Sequence, residues 1–113
     1  MSELAQRKCV PCEGGVEPLS RSQAESYLAQ LEEWMLDTAA KQISKTYKFK
    51  DFMQVIDFIN RIAQVAEEEG HHPDICFGWG RAEVKFTTHA IKGLSVNDFI
   101  MAAKVEEVYR AIS

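Results

Sequence analysis

Apolar residues first recur with a regular period between residues 20 and 31. Ser20 precedes this stretch as a candidate N-cap, and Gln23 stands where a capping box places Glu or Gln. The apolar side chains repeat at intervals of three and four, which is the spacing of one helix face: Ala24, Tyr27, Leu28 and Leu31. The pattern predicts a helix from Ser20 to about Leu31.

The period changes to two in residues 42–49. Apolar and polar side chains alternate there, as in a half-buried strand, with Lys45 as the exception on the apolar side. A short apolar stretch at 34–38 predicts an earlier strand, and residues 39–41 suit a hairpin connection between the two. The sequence therefore predicts an antiparallel strand pair after the first helix.

A helical period returns in residues 51–69 and gives the longest predicted helix. Gly70 is a plausible terminator, and Pro73 does not allow the helix to continue. The residues of its apolar stripe are Phe52, Val55, Ile56, Ile59, Ile62, Ala63 and Ala66.

Alternation resumes in residues 75–79 and 83–89, on either side of a turn at 80–81. These stretches predict a second hairpin. Trp79 shares one face of the first strand with its apolar neighbours, so we expect it to pack in the core.

The last helix follows a loop at residues 91–94. Ser95 is its candidate N-cap, and Asp98 occupies the capping-box position. The expected buried face is formed by Val96, Phe99, Ile100, Ala103 and Val108.

The predicted elements follow the order α-β-β-α-β-β-α, which indicates an α+β fold. Two hairpins separated by a helix favour a four-stranded antiparallel sheet with helices packed on one face. Residues 1–18 form an expected irregular N-terminal arm, and residues 19–113 form a single domain.

The composition of the 113-residue chain, 46% hydrophobic and 27% charged, is typical of one soluble globular domain. A net charge of −4 argues against a nucleic-acid binder, and no apolar run approaches the ~20 residues of a membrane span. The N-terminus lacks an apolar signal core, so we expect a cytoplasmic protein.

The three cysteines are Cys9, Cys12 and Cys76, an odd count that indicates reduced thiols. Cys9 and Cys12 have the Cys-x-x-Cys spacing of zinc or redox sites. The chain has no second ligand pair for a zinc ribbon, and a loop follows Cys12, so we expect a loose segment with no metal.

All three histidines, His71, His72 and His89, lie within one stretch of the sequence. If the second hairpin pairs as predicted, it returns His89 to the start of its first strand, beside the His71-His72 pair. Three converging imidazoles suit general acid/base chemistry on a small polar molecule. A zinc site with an open position, or three unrelated histidines, are the alternatives.

The spacing around these histidines resembles the signature of the pterin-4a-carbinolamine dehydratase family. That signature is an acidic residue, three residues, His-His-Pro, five residues, an aromatic, nine residues and His, then an aspartate. Glu67, His71-His72-Pro73, Trp79, His89 and Asp98 meet it. Thr87-Thr88-His89 and Gly93-Leu94-Ser95 match as well, and the resemblance covers about residues 18–112.

The resemblance implies dehydration of 4a-hydroxytetrahydrobiopterin to quinonoid dihydropterin, with no metal or cofactor, recycling the pterin of aromatic amino acid hydroxylases. It assigns His71 and His89 as acid/base groups and His72 as a positioning or secondary proton-transfer residue. Glu67 is expected to hydrogen-bond an imidazole. Asp98 has a sufficient structural explanation as a capping residue. The other supporting or substrate-binding candidates are Pro73, Trp79 and Thr88.

The resemblance also leaves a second class of function open. Animal members act as dimerisation cofactors of a homeodomain transcription factor, and some bacterial homologues are candidates for another pterin, as in molybdenum-cofactor metabolism. Cys9 and Cys12 make this chain look like bacterial members. The expected partners are a pterin, a second copy in a homodimer or homotetramer, and phenylalanine hydroxylase. An exposed outer strand at 42–49 would be compatible with such an oligomer.

Overall fold

The computed structural model describes residues 3–10 and 17–112. Within these ranges, four α-helices and four strands follow one another, with a short 3-10 helix between the last strand and the last α-helix. Their bounds are α1 Glu3–Gln6, α2 Arg21–Leu28, β1 Met35–Leu36, β2 Ile43–Lys48, α3 Phe52–Glu69, β3 Asp74–Gly78, β4 Arg81–Phe86, the 3-10 helix His89–Ile91 and α4 Val96–Ile112.

The strands form one antiparallel sheet in the order β1-β2-β4-β3, which confirms the predicted α+β fold. Ile43 pairs with Phe86, and Phe77 pairs with Ala82. β2 is therefore a central strand, and the interpretation of residues 42–49 as an exposed outer strand is wrong. The edges of the sheet are β1 and β3.

One face of the sheet is buried under helices α3 and α4. Alternate residues of β2 and β4 point to this side, and the fully buried ones are Ile43, Ala82, Val84 and Phe86. Lys45 also lies on this side, but its ammonium group reaches out and donates to the Glu32 carbonyl at 2.6 Å. The opposite face carries polar side chains, including Glu83 and Lys85, whose charged groups are 3.6 Å apart.

Helix α3 buries a narrower stripe than the sequence predicts. Val55, Ile62 and Ala66 are buried as expected, whereas Phe52 and Ala63 are exposed. The fully buried aromatic is Phe58, which the predicted stripe omits and which packs against Tyr47 and Phe49.

The second hairpin differs from its prediction at both ends. Its last register pair is Gly78 with Arg81, so Trp79 lies in the turn. Trp79 is 72% exposed, and the expectation that it packs in the core is wrong. At the other end β4 stops at Phe86, and His89 begins the 3-10 helix instead of ending a strand.

Part of the expected irregular arm is ordered. Residues 3–6 form helix α1, whose Leu4 and Ala5 are buried. The Ala5 carbonyl accepts a hydrogen bond from the Lys104 ammonium of α4 at 2.8 Å. Cys12 lies outside the described residues. Of the described helices, none combines the length and apolarity needed to cross a membrane.

Candidate active site

One cavity of about 460 Å³ brings together all three histidines. It lies where helix α3 ends, β4 ends and α4 begins. Its lining residues are Cys9, Val10, Glu69, Gly70, His71, His72, Thr87, Thr88, His89, Ala90 and Asn97. The cavity therefore draws on four separate stretches of the chain.

The end of helix α3 determines where His71 emerges. Gly70 has a left-handed backbone with φ of +68°, which glycine adopts without steric cost. The amide N–H groups of Gly70 and His71 both donate to the Ala66 carbonyl, at 2.9 and 3.2 Å. This predicted termination at Gly70 is confirmed, and it turns the chain into the histidine pair.

His71 is held by a buried carboxylate. Its Nε2 lies 2.6 Å from Oδ1 of Asp98, whose side chain has no exposed surface. The imidazole is itself only 12% exposed and lies nearly parallel to the Phe86 ring, with centroids 6.2 Å apart. A hydrogen bond in so dry a place restricts both the orientation and the tautomer of the ring.

The second oxygen of Asp98 organises the loop around His89. Oδ2 accepts the backbone N–H of Ser95 at 3.0 Å, which is the predicted capping contact. It also accepts the hydroxyl of buried Thr88 at 2.7 Å, and that hydroxyl lies 2.9 Å from the Ser95 hydroxyl. Asp98 thus caps α4, holds the loop and orients His71, and only the first role was predicted from the sequence.

His72 pairs with Glu67, as the acidic residue four positions before the histidine pair led us to expect. His72 Nε2 and Glu67 Oε2 are hydrogen-bonded across the end of α3. Both side chains are more than half exposed, so solvent weakens this contact compared with the His71–Asp98 pair.

His89 is presented by a short closed loop. The Thr88 N–H donates to the Gly93 carbonyl at 2.8 Å, and Lys92 has a left-handed backbone with φ of +54°. The imidazole of His89 is exposed and lines the cavity. Within residues 3–10 and 17–112, no side chain forms a hydrogen bond or ion pair with this ring.

The remaining candidates are divided between cavity and surroundings. Thr88 lines the cavity, whereas Pro73 follows the histidine pair without being part of the lining. Trp79 lies at the opposite end of strand β3 from His72 and takes no part in this cavity. Among the described residues, no three His, Cys, Asp or Glu side chains are arranged to hold a metal ion.

Sequence reasoning missed the contribution of the N-terminal segment to the lining. Cys9 and Val10 come from the N-terminal segment, and Glu69 and Asn97 bind that segment. The contacts of Val10 with Asn97 join positions 87 residues apart, so no local pattern reports them.

Comparisons with known proteins agree with this architecture. A family model described as "Pterin 4 alpha carbinolamine dehydratase" matches residues 17–108. A protein of Halorhodospira halophila is 53% identical over 103 residues, covering 91% of this chain and 94% of its own. One of Rubrobacter xylanophilus is 47% identical over 108 residues, covering 96% and 100%. Both carry the provisional name pterin-4-alpha-carbinolamine dehydratase.

A solved structure is also similar. The crystal structure of a "transcriptional coactivator/pterin dehydratase" from Brucella melitensis superposes with a TM-score of 0.77 at 29% identity. The match covers 81% of this chain and 98% of the Brucella chain. By the match of the family model and the identity to these relatives, the chain belongs to the pterin-4-alpha-carbinolamine dehydratase family.

Proposed function

We propose that this protein dehydrates a 4a-hydroxytetrahydropterin to the quinonoid dihydropterin by histidine acid/base catalysis. The observation that carries the proposal is the convergence of His71, His72 and His89 on one cavity, with His71 bonded to the buried Asp98. Membership of the family supports the same reaction class.

The chemistry requires two proton transfers and one bond cleavage. A proton delivered to the 4a-oxygen lets the C4a–O bond break, so that the oxygen leaves as water. The proton on N5 is removed, and its electron pair forms the N5=C4a double bond. Water is the only product besides the dihydropterin, and neither oxidant nor reductant is consumed. A general acid and a general base suffice.

His71 is the better base of the two principal candidates. When its Nε2–H is donated to the Asp98 carboxylate, Nδ1 is the ring atom that can accept a proton. The buried carboxylate then stabilises the imidazolium that forms, as in other carboxylate–histidine pairs.

His89 is the proposed acid. It is exposed at the cavity and has no side-chain partner among the described residues, so its ring can reach the leaving oxygen. His72, tied to Glu67 at the cavity edge, positions the substrate or relays a proton to solvent.

The test is dehydration of enzymatically generated 4a-hydroxytetrahydropterin, followed by ultraviolet absorbance with EDTA-treated protein. We expect acceleration over the uncatalysed rate, and its loss in His71→Ala and His89→Ala. Circular dichroism of both variants is the control. Folded wild-type protein without acceleration would contradict the proposal, and activity restored only by added zinc would replace acid/base catalysis with a metal site.

The physiological pterin and its supplier belong to the same proposal. We propose the biopterin derivative, produced by an aromatic amino acid hydroxylase such as phenylalanine hydroxylase. The test compares kcat/KM for two substrates, the biopterin carbinolamine and a pterin carbinolamine with a different substituent on the pyrazine ring. A higher kcat/KM for the second substrate would contradict the choice of biopterin.

A further inference from the structure

We propose that Cys9 and Val10, the pocket segment, form a wall of the pterin site, and that Asn97 is the positioning residue that holds this wall. The proposal rests on the proposed function, because it assumes a pterin in the histidine cavity. Its starting observation is that Cys9 and Val10 line the same cavity as His71, His72 and His89.

Asn97 binds the backbone of Val10 at both of its polar groups. The Val10 N–H donates to Asn97 Oδ1 at 3.0 Å, and Asn97 Nδ2 donates to the Val10 carbonyl at 2.5 Å. The amide side chain of Asn97 thus satisfies both the backbone N–H and the backbone carbonyl of Val10, as a paired residue in a neighbouring β-strand can do. Asn97 is 2% exposed, so breaking these contacts leaves its polar atoms poorly solvated.

A second contact comes from the end of helix α3. The Cys9 N–H donates to Glu69 Oε1 at 2.8 Å. The other oxygen of this carboxylate lies 3.9 Å from the ammonium of Lys104, which also donates to the Ala5 carbonyl. The pocket segment is therefore tied to both long helices, and buried Leu4 and Ala5 anchor the chain before it.

These contacts place an apolar surface beside the reacting groups. Val10 is 59% exposed, and the Cys9 thiol is close to the Asn97 carbonyl, with 3.8 Å between sulfur and oxygen. Neither side chain has an acid or base function in the dehydration. Their contribution is contact with the carbon framework of the pterin, either the face of the ring or its alkyl substituent. The wall should consequently affect KM more than kcat.

A thiol-protection experiment tests whether the bound pterin reaches this wall. A Cys12→Ser protein is alkylated with iodoacetamide, with and without 7,8-dihydrobiopterin, and the modified peptides are quantified by mass spectrometry. Cys76, exposed on β3 away from the cavity, is an internal control in the same sample. At ten times its dissociation constant, the pterin should slow alkylation of Cys9 about tenfold by mass action and leave Cys76 unchanged.

Calorimetry on the same protein separates the two possible failures. Pterin binding with no protection of Cys9 would overturn the wall while leaving the proposed function intact. Absence of both pterin binding and dehydratase activity would overturn the proposed function and the wall together.

Kinetics of Asn97 variants provide the second test. Asn97→Ala removes both contacts with Val10. We expect KM to rise about fivefold or more, because the net contribution of one hydrogen bond changes a binding constant by about this factor. We expect kcat to stay within about twofold of wild type. Asn97→Asp keeps an acceptor for the Val10 N–H and should recover part of the loss. A fall in kcat at unchanged KM would show that Asn97 acts through its neighbour Asp98 and would overturn the positioning role.

Discussion

Asp98 combines structural and chemical roles at the scale of one residue. Its carboxylate accepts the Ser95 N–H that caps α4, the Thr88 hydroxyl that holds the loop, and Nε2–H of His71. The capping role could be predicted because it depends on a spacing of three residues. The contact with His71 could not, because it joins positions 27 apart that meet only in the folded protein.

Asp98→Asn separates these roles. An asparagine can still accept from Ser95 and Thr88, but its NH2 group would face His71 and force Nε2 to become the acceptor. His71, the proposed base, is then in the wrong tautomer, so we expect kcat to fall about 10²- to 10⁴-fold while circular dichroism stays unchanged. Glu67→Gln, at the exposed pair with His72, is the matched control and should lose much less activity. Equal losses of kcat in Asp98→Asn and Glu67→Gln would contradict the larger role that we assign to Asp98.

At the scale of elements, local signals predicted most boundaries. The capping box of Ser20 and Gln23 is present at the start of α2, and Gly70 ends α3 as predicted. The predictions were wrong where the end of a strand depends on which residues pair with it. Trp79 continues the alternation of β3 but lies beyond its last partner, and His89 follows Thr88, whose backbone pairs with Gly93 across a loop. Helix α1 has four residues, too few to show a period.

Gly70→Ala tests how much the left-handed turn contributes to stability. An alanine Cβ there would meet no atom within 4 Å, so the cost is backbone strain alone. We expect the free energy of unfolding to fall by about 1–2 kcal/mol in a denaturant titration. Gly70→Asn, which tolerates this backbone better, should lose less. If Gly70→Ala were as stable as wild type, the strain expected for alanine in this left-handed conformation would be contradicted.

At the scale of the whole molecule, the histidine cavity and a cluster of exposed aromatic residues lie at opposite ends of one hairpin. The histidine pair precedes β3, whereas Trp79 follows it and Phe77 contacts Phe52 at 6.2 Å between ring centroids. β3 is also an edge strand, and in the described part of the chain no further strand pairs with its outer side. The sequence showed the alternation of the strands but not their order, which is why it placed the outer strand at 42–49.

We expect two copies to associate through β3 and its exposed aromatics. The double variant Phe77→Lys and Trp79→Glu should convert the oligomer to a monomer in size-exclusion chromatography with light scattering. Met35→Lys, on the opposite edge strand, is the control and should leave the mass unchanged. An oligomer that survives the double variant would require a different interface.

Glu106 gives the molecule a pH-dependent stability of its own. Burial raises the pKa of this carboxyl, against the opposing effect of the Glu32 N–H that donates to it at 2.9 Å. The folded state therefore binds the proton more tightly than the unfolded state. The contribution of Glu106 to stability is therefore greatest below the ordinary carboxyl pKa and is lost as the pH rises through the raised one.

Glu106→Gln isolates this dependence. The unfolding free energy of wild type, measured by urea titration relative to the variant, should decrease as the pH rises from about 4 upwards. At the upper end of the series the difference should become constant, because the carboxyl is then ionised in both states. If the unfolding free energies of wild type and Glu106→Gln changed in parallel with pH, the raised pKa of Glu106 would be contradicted. A difference that increased with pH would contradict it as well.

The several contacts of Asp98 also link the proposed activity to the docking of α4 during folding. The same carboxylate that caps the start of α4 orients His71, so the docking of α4 brings the His71–Asp98 pair together. We therefore expect the recovery of dehydratase activity during refolding to report the docking of α4. A refolding trace measured by turnover should coincide with one measured by the burial of Phe99 and Met101.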